Sequence, residues 1–581
     1  MSPLRRLYSY LRRHRRAYLL GLAIVVPATA CAAIQPPLIG WMVGRLEAQS
    51  GSKAMVLGVA GILALSALLR AGLLFVGRYQ VLAASRRVEF DLRNDLYAHL
   101  ETLSARWFDA NATGEITSRA INDLEGVRTM IGIGIMGSFA TGLLFLVSLA
   151  GMLATSPFLA LLFVLPLLGV SAVMAWTGVK MHSQSLAVQE QLGVLSSRAQ
   201  ENFMGARVVR AFVQEENEIA RYRAASEEYR ARNLRMARWR SGQWAAILLL
   251  AEGAMVVTLL VAGKAIIGRT LSVGVLTTFA GYQFQLLWPM IGIGWVISIL
   301  QRGVVCMGRL AEIFDAKPDS DDSRSRPGAA ISGRLEARNL TFAYSADRAP
   351  ALKDVSFSIQ TGQKVAVVGR TGAGKSTIVQ LLLRHYTLPD GMLFLDGRDV
   401  NTIPLAELRG AIGSVPQDLF LFSDKIRENI AFGGVNGVGD DAIARAADIS
   451  RLAADLEQFP DRLDQVIGER GVTLSGGQKQ RTALARAVVR EPRILVLDDA
   501  LSAVDSHTEQ EIQERLREYM KGRTTLVITH RLSAIADADL ILVLDDGRLV
   551  EQGRHAELLA AGGAYAALWE SQKLSEELAS S

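Results

Sequence analysis

A glycine-rich segment carries the clearest chemistry in this 581-residue chain; it spans residues 369 to 377 and reads GRTGAGKST. The apolar run Val365–Val368 precedes it and a second apolar run follows, so the pattern predicts a strand, a loop and a helix. In that setting backbone N–H groups converge on a phosphate, Lys375 reaches the outer phosphates, and the Ser376 hydroxyl can ligate Mg²⁺. The predicted triphosphate-binding residues are Gly369, Arg370, Thr371, Gly372, Ala373, Gly374, Lys375, Ser376 and Thr377.

Two carboxylates follow a second buried-strand pattern. The run Ile494–Leu497 is entirely apolar and leads into Asp498 and Asp499. We expect Asp498 to hold Mg²⁺ together with Ser376, and Asp499 to lie where a base or a water-orienting group acts. Two acids at a strand end can also be surface charge, but an apolar strand in a chain with a phosphate loop favours the catalytic interpretation.

Three more side chains are candidates for the same site. Gln417 can contact Mg²⁺ and the attacking water, and His530, which ends another apolar strand, is placed to reach a γ-phosphate. Tyr344 lies upstream of the phosphate loop, where it can stack on an adenine ring or serve as an ordinary strand aromatic. The predicted catalytic residues are Asp499, His530 and Gln417, and the predicted Mg²⁺ ligands are Ser376, Gln417 and Asp498.

A second anion site is predicted where serine and glycine open another helix. Residues 474 to 481 read LSGGQKQR and precede a helical run rich in alanine and arginine. Because the chain already holds a complete phosphate loop, we expect this second site to act on ATP bound by a partner chain. Its residues are Leu474, Ser475, Gly476, Gly477 and Gln478.

The composition indicates a large membrane domain. Half of the residues are hydrophobic and the mean hydropathy is +0.23, which is unusual for a soluble protein of this size. A formal charge of +6 fits contact with acidic lipid headgroups, and no pattern of basic residues among aromatics points to a nucleic-acid partner. Cys31 and Cys306 are far apart in apolar surroundings, so we expect neither a disulfide framework nor a metal site from them.

Six hydrophobic spans are predicted, each near the roughly 20 residues that a helix needs to cross a bilayer. They cover residues 17–44, 55–77, 131–154, 157–179, 243–268 and 275–298. The connections after the second and fourth spans are long and rich in arginine, which favours a cytoplasmic location for them and for both termini. The arginine-rich start resembles a signal peptide but lacks a convincing cleavage site, so we expect permanent anchoring.

The long inner connections are predicted to continue the membrane helices into the cytoplasm. The runs Val88–Leu100 and Ser226–Trp239 consist largely of helix formers and contain no glycine or proline. Turn-rich breaks follow near Trp107–Glu115 and Asn202–Arg207. Breaks at the far ends of long helices suit a docking surface for another domain, although a solvated elbow has the same pattern.

Three residues in the spans are candidates for a substrate cavity. Glu252 lies in the middle of the fifth span, where a charge is costly, so it can contact a cationic substrate, couple to a proton or bond to a neighbouring helix. Trp288 and Trp295 can line the cavity or pack against lipid. The proline pair Pro36–Pro37 is expected to kink the first span.

The chain resembles ATP-binding cassette (ABC) transporters of the exporter type. The resemblance rests on four features in this order: the phosphate loop, the signature LSGGQKQR, the LDDA stretch at 497–500 and His530. The resemblance implies an all-α six-helix transmembrane domain of the type IV exporter fold, fused to an α/β P-loop nucleotide-binding domain. Residues 466–471 resemble the exporter cross-talk loop, and Trp107–Asp123 and Glu201–Glu216 resemble the two coupling-helix regions. The predicted boundaries are a transmembrane domain with two cytoplasmic extensions at 1–314, a linker at 315–333, a nucleotide-binding domain at 334–575 and a tail at 576–581.

The same resemblance implies ATP, Mg²⁺, a second half-transporter as partner, an amphipathic small-molecule substrate and the inner membrane of a bacterium. The family usually has glutamate after the Walker B aspartate, whereas this chain has Asp499, followed by the D-loop residue Asp505. With aspartate at this position, the chain resembles one subunit of the heterodimeric multidrug exporters, in which one of the two ATP sites hydrolyses ATP weakly. A homodimer is the alternative. A lipid flippase, a peptide exporter and an ATP-gated channel or regulator remain alternative functions.

Overall fold

The computed structural model describes residues 2–318, 325–345, 349–434, 437–468, 474–504, 506–529, 531 and 535–580. The chain forms two compact units. The helical unit comprises Met1–Glu101 and Thr113–Ala316, and the α/β unit comprises Thr102–Ala112 and Lys317–Ser581. The short segment Thr102–Ala112 therefore belongs to the α/β unit, although it lies inside the predicted range 1–314 of the transmembrane domain.

Long helices dominate the first half of the chain. In chain order they are α1 (Pro3–Arg13), α2 (Arg15–Glu47), α3 (Lys53–Leu100), α4 (Ala105–Ala110), α5 (Thr113–Ser118), α6 (Leu124–Thr129), α7 (Ile135–Thr155), α8 (Pro157–Met204), α9 (Ala206–Ala211), α10 (Glu215–Ile267) and α11 (Val273–Asp315). Two π-helical turns, Arg119–Asp123 and Met130–Gly134, make the stretch from α5 to α7 continuous.

The membrane spans lie in these helices. Within the described residues, five segments are long and apolar enough to cross a membrane: Arg15–Glu47, Lys53–Leu100, Thr113–Thr155, Glu215–Ile267 and Gly292–Asp315. The predicted span 275–298 lies in α11 and overlaps Gly292–Asp315 only at its end. The other predicted span, 157–179, lies in α8, which has 48 residues. At 1.5 Å per residue a helix of that length is about 72 Å long, whereas the hydrocarbon core is about 30 Å thick. The long helices therefore extend well beyond the bilayer, as the helix-forming composition of the inner connections predicts.

A proline pair creates a specific joint between α2 and α11. The pair Pro36–Pro37 has no backbone N–H, so the carbonyls of Ala32 and Ala33, four residues earlier, lose their helical partners. The structure supplies replacements from α11: Gln285 Nε2 donates to the Ala32 oxygen at 2.7 Å, and the Tyr282 hydroxyl donates to the Ala33 oxygen at 3.0 Å. Helix α2 therefore continues through the prolines because a neighbouring helix satisfies the backbone groups they leave free.

The α/β unit contains two sheets. Its strands are β1 (Leu335–Phe342), β2 (Leu352–Ile359), β3 (Lys364–Gly369), β4 (Leu393–Leu395), β5 (Arg398–Asp399), β6 (Ile412–Val415), β7 (Ile494–Asp498), β8 (Thr524–Ile528), β9 (Leu540–Asp545) and β10 (Arg548–Gly553). The order β2-β1-β4-β5 forms an antiparallel sheet, and β10-β9-β3-β8-β7-β6 forms a sheet in which only the edge pair of β10 and β9 is antiparallel. The all-α plus α/β prediction is confirmed.

Helices of the α/β unit surround these sheets. They are α12 (Lys375–Leu382), α13 (Leu405–Gly410), α14 (Ile426–Ala431), α15 (Asp440–Ile449), α16 (Ala453–Leu456), α17 (Gly476–Val488), α18 (Ser506–Met520), α19 (His555–Ala561) and α20 (Ala564–Ser580). Strand β8 pairs in parallel with both β3 and β7, so the carboxyl ends of these three strands lie together. That edge of a parallel sheet is the usual ligand-binding edge. Helix α20 continues through residues 576–580, where the composition predicts a separate tail.

Candidate functional site

The glycine-rich loop joins β3 to α12, and two of its glycines leave no space for a side chain. Gly374, the N-cap of α12, has φ +94°, and a Cβ there would lie 2.6 Å from the Ala351 carbonyl oxygen. A Cβ on Gly369 would lie 2.2 Å from the Leu544 carbonyl oxygen. Lys375 is buried, and its Nζ donates to the carbonyl of Gly369 at 2.8 Å. The loop therefore places a lysine ammonium and a helix N-terminus where phosphate is expected to bind.

The loop, the two aspartates and the glutamine share one cavity of about 290 Å³. Its lining residues are Tyr344, Ala351, Thr371, Gly372, Gly374, Lys375, Ser376, Thr377, Gln417, Asp498, Asp499 and Ile528. All of these except Ala351 and Ile528 were predicted from sequence. Ile528 ends β8, whose apolar run pointed only to His530 two residues later, and His530 lies outside the described residues.

Burial shifts the pKa values of two charged groups in this cavity, Asp498 and Lys375, in opposite directions. Burial raises the pKa of Asp498 and the nearby Asp499 raises it further, while a hydrogen bond with Ser376 and the charge of Lys375 oppose the rise. Burial also lowers the pKa of Lys375, and the two aspartates partly offset that effect. A cation that binds beside Asp498 and an anion that binds beside Lys375 would each relieve the cost of burial.

The donor set fits Mg²⁺. A hydroxyl from Ser376, an amide from Gln417 and a carboxylate from Asp498 all line the cavity. The described residues contain no cluster of three or more His, Cys, Asp or Glu side chains suited to a metal ion. Mg²⁺ does not need such a cluster, because it commonly takes one or two protein oxygens together with substrate phosphates and water.

Asp499 is held rigidly by its backbone. It follows β7, adopts φ +51°, and its N–H donates to the Ile528 carbonyl at 2.8 Å. This hydrogen bond attaches the residue to the end of the neighbouring strand β8. The length of the Asp499 side chain therefore sets how far its carboxylate reaches into the cavity.

Tyr344 connects the cavity to the segment Thr102–Ala112. The Tyr344 hydroxyl lies 3.0 Å from Thr377 Oγ1, and its ring packs edge-on against Tyr386 with the centroids 5.0 Å apart. Tyr386 in turn donates to Asp109 Oδ2 at 2.5 Å. Burial, followed by the hydrogen bond to Asp109, raises the pKa of Tyr386, so it remains a neutral donor. Tyr386 was not predicted, because nothing in its local sequence marks its tertiary neighbours.

The second predicted anion site is a helix start outside this cavity. Ser475 is the N-cap of α17 and forms a capping box with Gln478, in which each side chain bonds to the other residue's backbone. Further along α17, Gln480 Nε2 donates to Ser502 Oγ at 2.9 Å, and Gln480 Oε1 accepts from the Ala503 N–H. None of the residues Leu474–Gln478 lines the 290 Å³ cavity.

Three predictions fall on residues that the structure does not describe. The D-loop residue Asp505 and His530 lie outside the described residues, and so do residues 469–473, which include the glutamate of the predicted cross-talk loop. Arg531, which is described, donates to the carbonyls of Leu501, Ser502 and Val504 at 3.0 to 3.3 Å. This arginine therefore fixes the backbone next to the D-loop.

Glu252 lines a second cavity, of about 270 Å³, inside the helical unit. The cavity lies between α8, α10 and α11 and is largely apolar. Trp295 is 56% exposed and is not part of the lining, and the side chain of Trp288 lies outside the described residues. The cavity is also lined by Gln283, which was not predicted.

Comparison with known proteins places both halves in one family. Residues 18–290 match the family described as ABC transporter transmembrane region, and residues 352–502 match the family described as ABC transporter. The probable multidrug resistance ABC transporter ATP-binding/permease protein YheI of Bacillus subtilis is 33% identical over 576 residues, which cover 99% of this chain and 98% of that protein. An ATP-dependent lipid A-core flippase of Aromatoleum aromaticum is 37% identical over 494 residues, which cover 85% of this chain and 82% of that protein.

A solved structure agrees over nearly the whole chain. The structure of a bacterial Atm1-family ABC exporter with ATP bound superposes with a TM-score of 0.80 at 29% identity, covering 97% of this chain and 98% of that one. Apolar helices long enough to cross a membrane accompany a phosphate loop in the same polypeptide. The chain belongs to the ABC transporter family, as a multi-pass bacterial membrane exporter that carries its transmembrane region and its ATP-hydrolysing domain in a single polypeptide.

Proposed function

We propose that this chain is one half of a dimeric exporter of amphipathic compounds in the bacterial inner membrane, with both termini in the cytoplasm. The observation that carries the proposal is the separation of the two ATP-recognising elements. The cavity that holds Lys375 and Asp498 is not lined by the signature residues Leu474–Gln478, although those residues form a capped helix start suited to an anion. A second subunit can supply its own signature to this cavity and receive this one in return.

An exposed apolar segment supports a partner subunit. Around α9 four large apolar side chains are mostly in solvent: Phe203 is 81% exposed, Met204 80%, Phe212 71% and Val213 80%. They lie within the second predicted coupling region, Glu201–Glu216. Clusters of this kind on a soluble surface mark interaction sites, and we assign this one to the nucleotide-binding domain of the partner half-transporter.

The composition of the cavity supports the following proposed roles for its residues. Backbone N–H groups of the loop and Lys375 bind the phosphates, Tyr344 supports the adenine, and Ser376, Gln417 and Asp498 hold Mg²⁺. The metal supplies charge neutralisation of the β- and γ-phosphates. Asp499 and His530 orient the attacking water and the γ-phosphate. Binding of ATP drives closure only through the better contacts that it makes in the closed dimer.

We further propose that the ATP site of this chain is slow, so that the functional unit is a heterodimer. The support is Asp499, whose backbone is fixed by the Ile528 carbonyl and whose side chain is one methylene shorter than glutamate. A shortfall of about 1 Å can lower a rate on the order of a hundredfold. The intact signature Leu474–Gln478 would complete a competent site on a partner that carries glutamate. In a homodimer both sites would carry Asp499.

The test is ATP-dependent uptake of amphipathic compounds into inside-out vesicles that contain this chain and its partner. We expect accumulation that Lys375→Ala reduces. The control Lys521→Ala, at an exposed lysine in the turn after α18 that does not line the cavity, should leave it unchanged. Passive flux without accumulation would instead support a channel. Flipping of a labelled lipid without uptake of amphiphiles would support the flippase alternative, which the likeness to a lipid A-core flippase favours.

A further inference from the structure

The cavity between α8, α10 and α11 contains a buried amide with no partner. Gln283 is 7% exposed, and within the described part of the chain neither its Oε1 nor its Nε2 has a hydrogen-bond partner. Buried polar groups are nearly always paired, so an unpaired amide in a membrane helix is costly and needs an explanation. Gln285, two residues along α11, shows the usual arrangement, because its amide donates to the backbone of α2.

The position of Gln283 gives that explanation. Its side chain lines the 270 Å³ cavity, where most other lining groups are apolar, among them Phe163, Met255 and Phe284. A ligand in the cavity can therefore reach an amide that offers both a donor and an acceptor. Recognition sites of this type, with an apolar wall and a few convergent polar groups, are the common form of small-molecule pockets.

Glu252 determines the charge of the ligand. Its exposed side chain lines the same cavity and contributes the one acidic group among the described lining residues. A carboxylate at membrane depth favours a cation, and an N–H on that cation can donate to Gln283 Oε1 while Glu252 supplies the opposite charge. A quaternary ammonium ion has the same charge but no N–H to donate.

We propose that this cavity is a binding site for hydrophobic amines that retain at least one N–H on the charged nitrogen, and that Gln283 selects them over quaternary ammonium ions. The proposal rests on the proposed export of amphipathic compounds and specifies the substrate class. Glu252 provides the charge complementarity, and Gln283 provides the discrimination between the two kinds of cation.

The test is equilibrium binding of two matched probes to the full chain in lipid nanodiscs without ATP, with empty nanodiscs as the reference. The probes are N,N-dimethyloctylamine, which is protonated at neutral pH and has one N–H, and trimethyloctylammonium, which has none. We expect the wild-type chain to bind the amine about tenfold more tightly, the value of one good hydrogen bond. Equal affinities for the two probes in the wild-type chain would overturn the proposal without any variant.

Two variants locate the effect. Gln283→Met keeps the size of the side chain but removes both polar atoms, so it should weaken amine binding about tenfold and leave the quaternary probe within twofold. Glu252→Gln should weaken both probes. Gln301→Leu, at an exposed position on the same helix, should change neither. Persistence of the amine preference in Gln283→Met would overturn the assignment.

The binding test in nanodiscs and the transport test in vesicles can fail independently of each other. Selective binding of the amine in nanodiscs, with no ATP-driven accumulation of it in vesicles, would retain the binding site and remove the export proposal. Accumulation of both probes to the same extent, with equal affinities in nanodiscs, would retain export and remove the selective site.

Discussion

Replacing Asp499 by glutamate is expected to accelerate ATP hydrolysis at the cavity of this chain. The backbone of Asp499 is fixed by its N–H bond to the Ile528 carbonyl at 2.8 Å, so the added methylene extends the carboxylate into the cavity instead of shifting the main chain. One more carbon–carbon bond is about 1.5 Å long. A misplacement of about 1 Å is associated with a rate loss on the order of a hundredfold, or about 2.7 kcal/mol in the activation free energy.

The assay is single-turnover hydrolysis of ATP by the chain reconstituted with its partner, with the partner's own phosphate-loop lysine replaced so that only one cavity binds ATP. We expect Asp499→Glu to raise the rate about a hundredfold, and Asp499→Asn to lower it only a few-fold. Asp545→Glu adds the same methylene at the exposed end of β9 and serves as the matched control. A large loss in Asp499→Asn with no gain in Asp499→Glu would show that the aspartate already reaches the water, and the weak-site reasoning would be wrong.

Three further predictions concern the signature residue Ser475, the hydrogen bond between Tyr386 and Asp109, and the contact between α2 and α11. Ser475→Arg should abolish hydrolysis at the partner's site while photolabelling of this chain's cavity by an ATP analogue stays within twofold, because the signature does not line that cavity; loss of labelling would contradict action in trans. Tyr386→Phe removes the hydrogen bond to Asp109 and should lower substrate-stimulated hydrolysis about threefold with ATP affinity unchanged, as measured by steady-state ATPase and nucleotide binding. Tyr282→Phe leaves a helix carbonyl unpaired and should lower the thermal midpoint of the purified protein by about 2–4 °C, whereas Tyr79→Phe, on an exposed face, should not.

Some features of the fold can be predicted from a short run of sequence. The glycine positions, the lysine and serine at the start of α12, and the aspartates after β7 are local patterns, and parallel pairing of β3, β8 and β7 brings them to one edge. Long helices such as α3 were predictable because Val88–Leu100 lacks glycine and proline. These patterns need no knowledge of distant neighbours.

Features that depend on tertiary neighbours were missed. Tyr386 matters because Tyr344 and Asp109 lie on either side of it, and these three residues are far apart in sequence. Gln283 and Gln285 are two positions apart on one helix, yet only the second has a backbone partner. Composition also gives no sign that the segment Thr102–Ala112 belongs to the α/β unit, where Asp109 accepts a hydrogen bond from Tyr386.

The contacts of Tyr344 and Tyr386 suggest how occupancy of the nucleotide cavity can affect the membrane helices. Thr377 lies in the first turn of α12, its Oγ1 hydrogen-bonds with the Tyr344 hydroxyl, and Tyr386 contacts both Tyr344 and Asp109. Asp109 is nine residues beyond the end of α3, whose other end lies in the membrane. If adenine contacts Tyr344 as proposed, we expect it to restrict Tyr386 as well, and the hydrogen bond to Asp109 would pass that restriction to the segment Thr102–Ala112. Energetic coupling between the nucleotide cavity and the membrane helices requires that this chain of contacts has two arrangements, whose populations both sites can shift. Removing the Tyr386 hydroxyl breaks the chain of contacts and leaves both sites in place, so Tyr386→Phe tests the coupling directly.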